Sequence, residues 1–248
     1  INSSKYAVVT GGVHSIYGVS ILSDVNIYDI EQDANNLSIS NGAIEFDFNS
    51  HRFIIPAYGI HNASNALLAI GSAIIAGIEI DQIKHGLSKF SGVKRRFTTI
   101  GNLNGITFID DYAHHPSEII ATLLAARSIT SGRIIGVIQP HRFSRVQLFF
   151  KDFVNAFDLF DFVILLDVYS AGEQSIDGCF SRDLIKSAQN PKVFYSENNS
   201  PSIKDKLITL NLNSGDFVIF MGAGTISEVS YKVFAELSPH DYSQHFLC

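Results

Sequence analysis

Residues 105–119, GITFIDDYAHHPSEI, contain the pattern that decides the fold of this chain. The apolar run GITFIDD (105–111) predicts a buried strand. Pro116 and Glu118 then predict the start of a helix, because proline suits the first helical position and an acid interacts favourably with the positive helix N-terminus. A strand, a polar turn and a helix therefore follow one another within this short stretch.

The same rhythm continues to the end of the chain and predicts an α/β fold. Four further strands are expected, at RIIGVIQ (133–139), FVILLDV (162–168), KVFYS (192–196) and DFVIFMG (216–222). Helical patterns alternate with the strands, at 116–128, 144–160, 181–189, 201–212 and 225–237. Because nearly continuous apolar strands alternate with amphipathic helices, we expect a mostly parallel sheet with helices on both faces.

The first part of the chain has a different pattern, which predicts a separate unit. Three short alternating runs predict antiparallel strands or hairpins: VNIYDI (25–30), AIEFDF (43–48) and HRFIIP (51–56). Two helices are expected near 62–77 and 80–90, and SGVKRRF (91–97) has the character of a linker. The sequence therefore predicts one domain over 1–92 and a second over 93–248.

Composition excludes several classes of protein. The formal net charge of −6 does not favour a nucleic-acid-binding protein, because a basic excess is needed to neutralise phosphates. Cys179 and Cys248 are far apart and in no CxxC pattern, which disfavours a disulfide scaffold or a cysteine zinc site and suits a reducing cytosol. The apolar stretch 65–78 is too short to cross a bilayer, so no membrane insertion is expected. The chain begins with Ile1, so we expect a fragment of a longer protein.

Unusual polar residues follow four of the five predicted strands. They lie in DDYAHH (110–115), PHRFSR (140–145), YSAGE (169–173) and GAGT (222–225). The carboxyl ends of parallel strands meet at one edge of a sheet, and ligands of such folds bind in the crevice there. We therefore expect a binding site at this edge.

The histidine turn, DDYAHHPSE (110–118), has several interpretations. Histidine is a poor helix cap, so a simple turn does not explain His114, His115 or Tyr112. Asp111 is interpreted as a ligand for ribose hydroxyls, as acids at such strand ends often are. A metal site is a weaker alternative, because adjacent histidines on an extended chain point apart and no HxxxH or HxH spacing occurs.

Two further motifs are typical of anion sites. In HRFSR (141–145), Ser144 is expected to cap a helix, so Arg145 would lie in the first turn with Arg142 close by. Two guanidinium groups beside helix N–H groups suit a carboxylate or phosphate, although paired surface arginines are the ordinary explanation. In GAGTISE (222–228), Thr225 is expected to form a capping box, and the glycines allow close backbone approach.

Two motifs before the predicted sheet suggest a nucleotide. Asn62 and Asn65, in GIHNASNA (59–66), lie on one face at the start of a helix. They either cap that helix or pair with an adenine edge. Arg96, in GVKRRF (92–97), lies at the expected domain junction, where ligands often bind, although a basic linker is also common.

Taken in order, these motifs resemble the Mur ligases of peptidoglycan synthesis. The resemblance covers nearly the whole chain but only the second half of the family. It implies a Rossmann-like C-terminal domain from about residue 93, preceded by the β-rich and helical end of the central ATPase domain. The family's phosphate loop, G-x-H-G-K-[ST], is absent from this sequence. HRFSR favours the members that join L-alanine to UDP-N-acetylmuramate, and those that recycle murein tripeptide stay an alternative.

The resemblance also implies ligands and residue roles. The cofactors would be ATP and Mg²⁺, with the magnesium ligands mostly outside this chain and no metal site within it. His61, Asn62 and Asn65 would hold the adenine, Arg96 would contact ATP, and Asp111 would bind its ribose. The alanine and muramoyl side would be lined by the remaining candidates, which are Tyr112, His114, Arg142 and Arg145, with His141 and Glu173 at the same edge. Without the phosphate loop, we expect this chain alone to be inactive.

Two other hypotheses remain at this point. The chain could be a stand-alone domain that binds a nucleotide or an amino acid without catalysis. It could also be a metal-dependent hydrolase that uses Asp110, Asp111, His114 and His115.

Overall fold

The chain divides into two compact units, Ile1–Gly92 and Val93–Cys248, in a computed structural model. The structure describes residues 7–10, 25–28, 30–40, 42–90, 92–189 and 191–238. Ile1, Cys248 and the side chain of His61 lie outside the described part. None of the helices in the described ranges combines the length and the apolar character that crossing a bilayer requires.

The first unit combines two small sheets with helices. Its elements, in chain order, are β1 (Ala7–Thr10), β2 (Val25–Tyr28), α1 (Ile30–Asp33), β3 (Asn35–Ser40), β4 (Ala43–Phe48), β5 (His51–Ile55), α2 (Ile60–Ile75) and α3 (Ile80–Ser88). β3, β4 and β5 form an antiparallel sheet, in which β4 and β5 correspond to the predicted runs at 43–48 and 51–56, whereas β3 was not predicted. β2, in contrast, pairs with β1 in parallel, so the antiparallel prediction for VNIYDI was wrong.

The core of the first unit follows from the alternation in β4. Ile44, Phe46 and Phe48 point to one face and are buried, as expected for a strand with one face in the core. Phe46 stacks on Phe53 of β5, with ring centroids 5.9 Å apart. Leu67 of α2 belongs to the same cluster.

The second unit is built on a six-stranded sheet. Its elements are β6 (Thr98–Leu103), β7 (Ile106–Asp111), α4 (Pro116–Arg127), β8 (Ile134–Ile138), α5 (Phe143–Leu148), α6 (Phe150–Phe157), β9 (Phe162–Leu165), α7 (Ser181–Ser187), β10 (Val193–Tyr195), α8 (Ser200–Thr209), β11 (Phe217–Met221) and α9 (Ile226–Leu237). The strand order is β10-β9-β8-β11-β7-β6. The strands pair in parallel except for β6, which is antiparallel to β7. The prediction of a mostly parallel α/β sheet is confirmed.

Helices cover both faces of this sheet, as predicted. Residues from α4, α5, α6 and α7 share one buried cluster with strand residues such as Ile109 and Ile219. Residues from α8 and α9 share the other cluster with Phe108 and Phe220. The chain therefore leaves β7 and β8 towards one face and leaves β11, which lies between them, towards the other. Such a change of direction opens a crevice at the carboxyl ends of the strands.

Two elements of the second unit differ from the predictions. β6 was missed, because its sequence TTIGNL has little apolar alternation. Its Gly101 packs closely, since an added Cβ atom would lie 2.2 Å from the ring of Phe234. The helix expected over 144–160 is divided at Phe149, whose φ of −114° and ψ of 27° are not helical.

Candidate functional site

The candidate site lies at the carboxyl edge of the six-stranded sheet, where the loops after β7, β8, β9 and β11 meet. Two of these loops extend the strand ladder beyond its end, through a bridge between His141 and Tyr169. Tyr169 donates its N–H to the carbonyl of Pro140, and Arg142 donates its N–H to the carbonyl of Tyr169, each at 2.8 Å. The loop after β8, which ends at Arg142, is therefore fixed to the loop after β9.

Asp111 holds the turn after β7. Its Oδ1 accepts hydrogen bonds from the N–H of Ala113 at 2.7 Å and the hydroxyl of Thr122 at 3.2 Å. Its Oδ2 accepts the N–H of Phe97 at 2.7 Å. The side chain is buried, and burial raises the pKa of its carboxyl group. Asp111 was predicted to bind a ribose, but both oxygens of its carboxylate are engaged in hydrogen bonds within the protein.

His115 caps helix α4, contrary to the sequence-based expectation that histidine does not cap. It is the N-cap residue, and its Nδ1 accepts the N–H of Ser117 at 3.3 Å. Glu118 completes a capping box by accepting the N–H of His115 at 3.2 Å. An unprotonated imidazole nitrogen is a hydrogen-bond acceptor, which explains how histidine replaces serine or aspartate here.

His114 faces the other loops of the edge. Its Nδ1 lies 2.8 Å from the carbonyl oxygen of Tyr112 and 3.4 Å from Glu118. Burial alone would raise the pKa of Glu118, but the N–H group and ring of His114 and the N–H group of His115 lower it overall. The two adjacent histidines thus have different surroundings, one at the helix cap and one at the edge.

An unbroken row of rings crosses the edge. The guanidinium groups of Arg95 and Arg96 lie 4.7 and 5.5 Å from the ring centroid of Tyr112. The row then passes from Tyr112 to His114 at 5.2 Å, from His114 to His141 at 5.5 Å, and from His141 to Tyr169 at 5.3 Å. The structure therefore brings together Tyr112 and His114 from one predicted motif with His141 from another.

His141 lies at the centre of this row. Its Nδ1 is buried and has no hydrogen-bond partner in the described part of the chain. Burial lowers the pKa of His141, and the nearby His114, Arg145 and Arg142 lower it further. The ring is therefore biased towards its neutral form.

Arg142 and Arg145 lie beside His141. Arg145 donates to the carbonyl of His141 at 3.2 Å, and Arg142 lies 3.7 Å from Glu173 with its side chain 52% exposed. The φ of Arg142 is +71°, which is uncommon for a residue with a side chain and is often found at functional sites. The structure thus brings both predicted arginines to the same edge.

Glu173, rather than Ser144, caps helix α5. The N-cap position belongs to Arg142, so the predicted N-cap role of Ser144 was wrong. The carboxylate of Glu173 accepts the N–H of Ser144 at 3.0 Å and its hydroxyl at 2.7 Å. These hydrogen bonds and the nearby Arg142 lower the pKa of Glu173. A carboxylate of the chain itself therefore occupies the N-terminus of α5.

The glycine loop after β11 packs closely against the other loops. A Cβ atom on Gly224 would lie 2.6 Å from Oε1 of Gln139 and 2.7 Å from the ring of Tyr169. The glycine thus allows a close approach of the neighbouring protein loops, and the predicted approach to an anion stays a prediction. The predicted capping box was wrong, because Thr225 makes no side-chain cap bond and instead accepts a hydrogen bond from Asn198 at 2.8 Å.

Two long-range contacts at this edge were not predicted from the sequence, although Asp110 itself was considered as a residue of a metal-dependent hydrolase. Arg95 donates to the carbonyl of Gly222 at 2.6 Å, which ties the segment before β6 to the glycine loop. Asp110 is 1% exposed and accepts a hydrogen bond from Ser227, and its Oδ1 is buried and has no hydrogen-bond partner among the described residues. Burial raises the pKa of Asp110, and Ser227 and Arg95 offset this only in part. Long-range pairs of this kind leave no spacing signal in the sequence.

The predicted adenine-binding residues belong to the first unit. Asn62 donates to the carbonyl of Tyr58 at 2.7 Å, and Asn65 donates to the Oδ1 of Asn62 at 3.2 Å, so both share one helix face. Neither caps α2, whose N-cap is Gly59 without a side-chain cap bond. Within the described residues, no group of three or more histidine, cysteine or acidic side chains is arranged to hold a metal ion.

Comparison with known proteins identifies the family. The sequence profile described as "Mur ligase, glutamate ligase domain" matches residues 95–224, which is more than half of the chain and contains most of the edge described above. The chain belongs to the Mur ligase family. The Mur ligase profile thus begins at Arg95, ahead of β6, and ends at Gly224 in the glycine loop.

Curated proteins named as UDP-N-acetylmuramate–L-alanine ligases resemble the chain. It is 38% identical over 230 residues to the UDP-N-acetylmuramate–L-alanine ligase of Rhodospirillum centenum, covering 89% of the chain and 47% of that protein. It is 45% identical over 187 residues to the ligase of the same name from Mesorhizobium japonicum, covering 74% of the chain and 40% of that protein. The chain therefore spans less than half the length of these relatives.

Solved Mur ligase structures share the fold. The UDP-N-acetylmuramate–alanine ligase of Thermotoga maritima aligns with a TM-score of 0.68 at 24% identity, covering 86% of this chain and 48% of that one. The MurF ligase of the same organism, solved in complex with ADP, aligns with a TM-score of 0.63 at 16% identity, covering 86% of this chain and 50% of that one. At these identities the likeness concerns the fold.

Proposed function

We propose that this chain is the C-terminal half of an ATP-dependent ligase that joins L-alanine to UDP-N-acetylmuramate in the bacterial cytoplasm. The reaction proceeds through an acyl phosphate of the muramate carboxylate, which the amino group of L-alanine attacks. The names of the curated relatives and the HRFSR motif support alanine as the substrate. Residues 1–92 would form the end of the central ATPase domain and residues 93–248 the C-terminal domain.

The observation that carries the proposal is the meeting of two loops at one edge of the sheet, where the ring of His141, beside Arg142 and Arg145, lies 5.5 Å from the ring of His114. Arginine binds a carboxylate through paired charge-assisted hydrogen bonds. The carboxylate of L-alanine must be held while its amino group stays free to attack. Arg142, which is half exposed and already lies beside a carboxylate of the chain, is suited to this role.

The neutral bias of His141 suits the same site. The attacking amino group must lose its proton before it reacts, and a neutral imidazole can accept one. Burial is the main cause that lowers the pKa of His141, and Arg145 and Arg142 lower it further, so the ring is biased towards the neutral form that can accept this proton. Tyr112 and His114 continue the row of rings and would line the muramoyl side.

The remaining candidate residues would contact ATP. Asn62 and Asn65 present amide groups on one helix face, which suits an adenine edge, and the neighbouring His61 would join them. Arg96 is exposed beside Tyr112 and could offer its charge to phosphate oxygens. Asp111 would reach the ribose only through lone pairs not used by Phe97, Ala113 and Thr122. Mg²⁺ neutralises developing phosphate charge in such reactions, and its ligands would lie mostly outside this chain.

The proposal can be tested by sequencing the gene upstream of this chain and assaying the extended protein. Sequencing upstream of the Ile1 codon should reveal an in-frame G-x-H-G-K-[ST] motif, and the extended protein should form UDP-N-acetylmuramoyl-L-alanine from ATP, L-alanine and the UDP-sugar. The 248-residue chain alone should form none. A start codon beside Ile1, with binding but no turnover, would favour the stand-alone domain. Turnover of murein tripeptide in place of L-alanine would favour the recycling ligase.

A further inference from the structure

A groove lies at the outer edge of the six-stranded sheet, away from the edge that carries the candidate site. We call it the edge groove. Its volume is about 340 Å³, within the range of small-molecule sites. It is lined by residues of β9, β10 and the end of α8, which are Phe162, Ile164, Phe194, Lys206, Thr209 and Leu210.

The strand pattern explains why these side chains share a face. Phe162 and Ile164 are two residues apart on β9, so they point to the same side of the sheet. Phe194 of β10 pairs directly with Ile164 and therefore joins them. α8 packs on this face through the buried Ile203 and Leu207, which places its last turn above the strands. Because β10 is the last strand of the sheet, the groove opens beyond its edge.

The floor of the groove is aromatic. The rings of Phe162 and Phe194 lie 6.4 Å apart between centroids, with an angle of only 20° between their planes. Both residues are partly exposed, so part of each ring is accessible to a ligand. Aromatic rings prefer such offset stacked neighbours, and a ligand ring would extend the stack.

Positive charge surrounds this floor, although the whole chain carries a formal charge of −6. Lys192 and Arg133 place their cations 5.1 and 5.7 Å from the ring centroid of Phe162. The charge of Arg133 is balanced by Asp216. Lys206 lines the groove directly, and it forms no ion pair with any residue in the described ranges. The groove therefore offers a cation to an incoming anion.

The groove is separate from the candidate site. Phe162 is the first residue of β9, and Arg133 and Lys192 directly precede β8 and β10. These positions mark the amino ends of the parallel strands, whereas the row of rings from Tyr112 to Tyr169 lies at their carboxyl ends. A ligand in the edge groove would not displace a substrate of the ligase.

We propose that the edge groove is a second binding site, for a small flat aromatic carboxylate. The ring of the ligand stacks on Phe162 and Phe194, and its carboxylate pairs with Lys206. The proposal does not depend on the ligase activity, since no residue of the groove belongs to the candidate site.

The test titrates the 248-residue chain with 2-naphthoate and follows backbone amide signals by NMR. We expect the shifts to centre on Phe194, Lys206 and Leu210. Lys206→Met should weaken 2-naphthoate binding roughly three- to fivefold, the scale of one exposed charge contact. Binding of the uncharged 2-naphthylmethanol should be unchanged in this variant. Phe194→Ala should weaken both ligands, and Lys186→Met, which removes an exposed cation of α7, should weaken neither.

Three results would overturn the proposal. The first is the absence of shifts at the groove at about 10 mM 2-naphthoate, a concentration at which even weak fragments bind. The second is equal loss of the charged and the uncharged ligand in Lys206→Met, which would remove the role of the cation. The third is signals at the groove that change with protein concentration and not with ligand, which would show that a second copy of the chain covers it.

Discussion

Asp111→Asn should destabilise the second unit by an amount that the hydrogen bonds of Asp111 allow one to work out. The aspartate accepts three hydrogen bonds, from the N–H groups of Phe97 and Ala113 and from the hydroxyl of Thr122. An asparagine can keep its oxygen towards Ala113 and Thr122. Its amide nitrogen, a donor, then faces the N–H of Phe97, which is 2.7 Å from Oδ2 in the wild type.

The cost of this change has two parts. One hydrogen bond to a charged group is lost, which costs about 1.5–3 kcal/mol, and a buried N–H is left unsatisfied, which costs about 1–3 kcal/mol. Local relaxation reduces the sum, so we expect about 2–4 kcal/mol. For a domain of this size that corresponds to a fall in Tm of roughly 4–16 °C. Thr122→Val, which removes one hydroxyl bond and keeps the shape, should cost only about 1 kcal/mol.

The assay combines thermal unfolding by circular dichroism with hydrogen exchange of single amides. In Asp111→Asn, exchange at Phe97 should accelerate more than exchange at Ala113, because only the Phe97 amide loses its acceptor. A change in stability below about 0.5 kcal/mol, the usual range for surface substitutions, would refute the reasoning. If that small change came with a loss of ATP affinity in the complete ligase, the main role of Asp111 would be ribose binding.

Two further predictions concern stability. Asp216 is buried, and although burial alone would raise the pKa of its carboxyl group, the hydrogen bonds from Arg133 and nearby backbone lower it. The ionised carboxylate of Asp216 therefore contributes its full stabilisation above the pKa of about 3.9 that aspartate has in the unfolded chain. That contribution is lost as pH falls through the lower pKa of Asp216 in the folded protein. Asp216→Asn should lower the free energy of unfolding by about 2–3 kcal/mol at pH 7. It should also make the urea midpoint less dependent on pH below ~4, and an unchanged pH profile would contradict this prediction. Gly224→Ala should cost about 1–3 kcal/mol, because its Cβ would meet the ring of Tyr169 at 2.7 Å. Gly86→Ala, in α3 with no atom within 4 Å of the added Cβ, should stabilise by about 0.4–1 kcal/mol, and equal urea midpoints for both variants would argue against the close packing at Gly224.

Local patterns in the sequence predicted most of the second unit. The five parallel strands are nearly continuous apolar runs, and each lies within its predicted stretch, because burial on both faces leaves a strong signal. The meeting of Tyr112, His114, Arg142 and Arg145 at one edge followed from a rule about parallel sheets rather than from the residues themselves. β6 was missed because an edge strand with threonine, asparagine and glycine lacks that signal.

The finer structure of the site could not be read from local patterns. Asp110 meets Ser227 across 117 positions, and Arg95 meets the carbonyl of Gly222 across 127. Such pairs depend on the whole sheet. The cap of α5 also depends on a distant residue. The acceptor for the N–H of Ser144 is Glu173 from another loop, whereas the sequence suggested Ser144 itself as the capping residue. Propensity rules describe the common case, and His115 shows that a histidine with a free acceptor nitrogen can take a position usually held by other residues.

The central claim is that Arg142 fixes the carboxylate of the amino-acid substrate. Steady-state kinetics of the complete ligase, at saturating UDP-N-acetylmuramate, test it most directly. Arg142→Met should raise the KM for L-alanine about 10- to 100-fold, the scale of a charge-assisted hydrogen bond, and leave the KM for ATP within about twofold. Lys186→Met should change neither. An unchanged KM for L-alanine together with a raised KM for ATP would contradict the account and would assign Arg142 to the nucleotide.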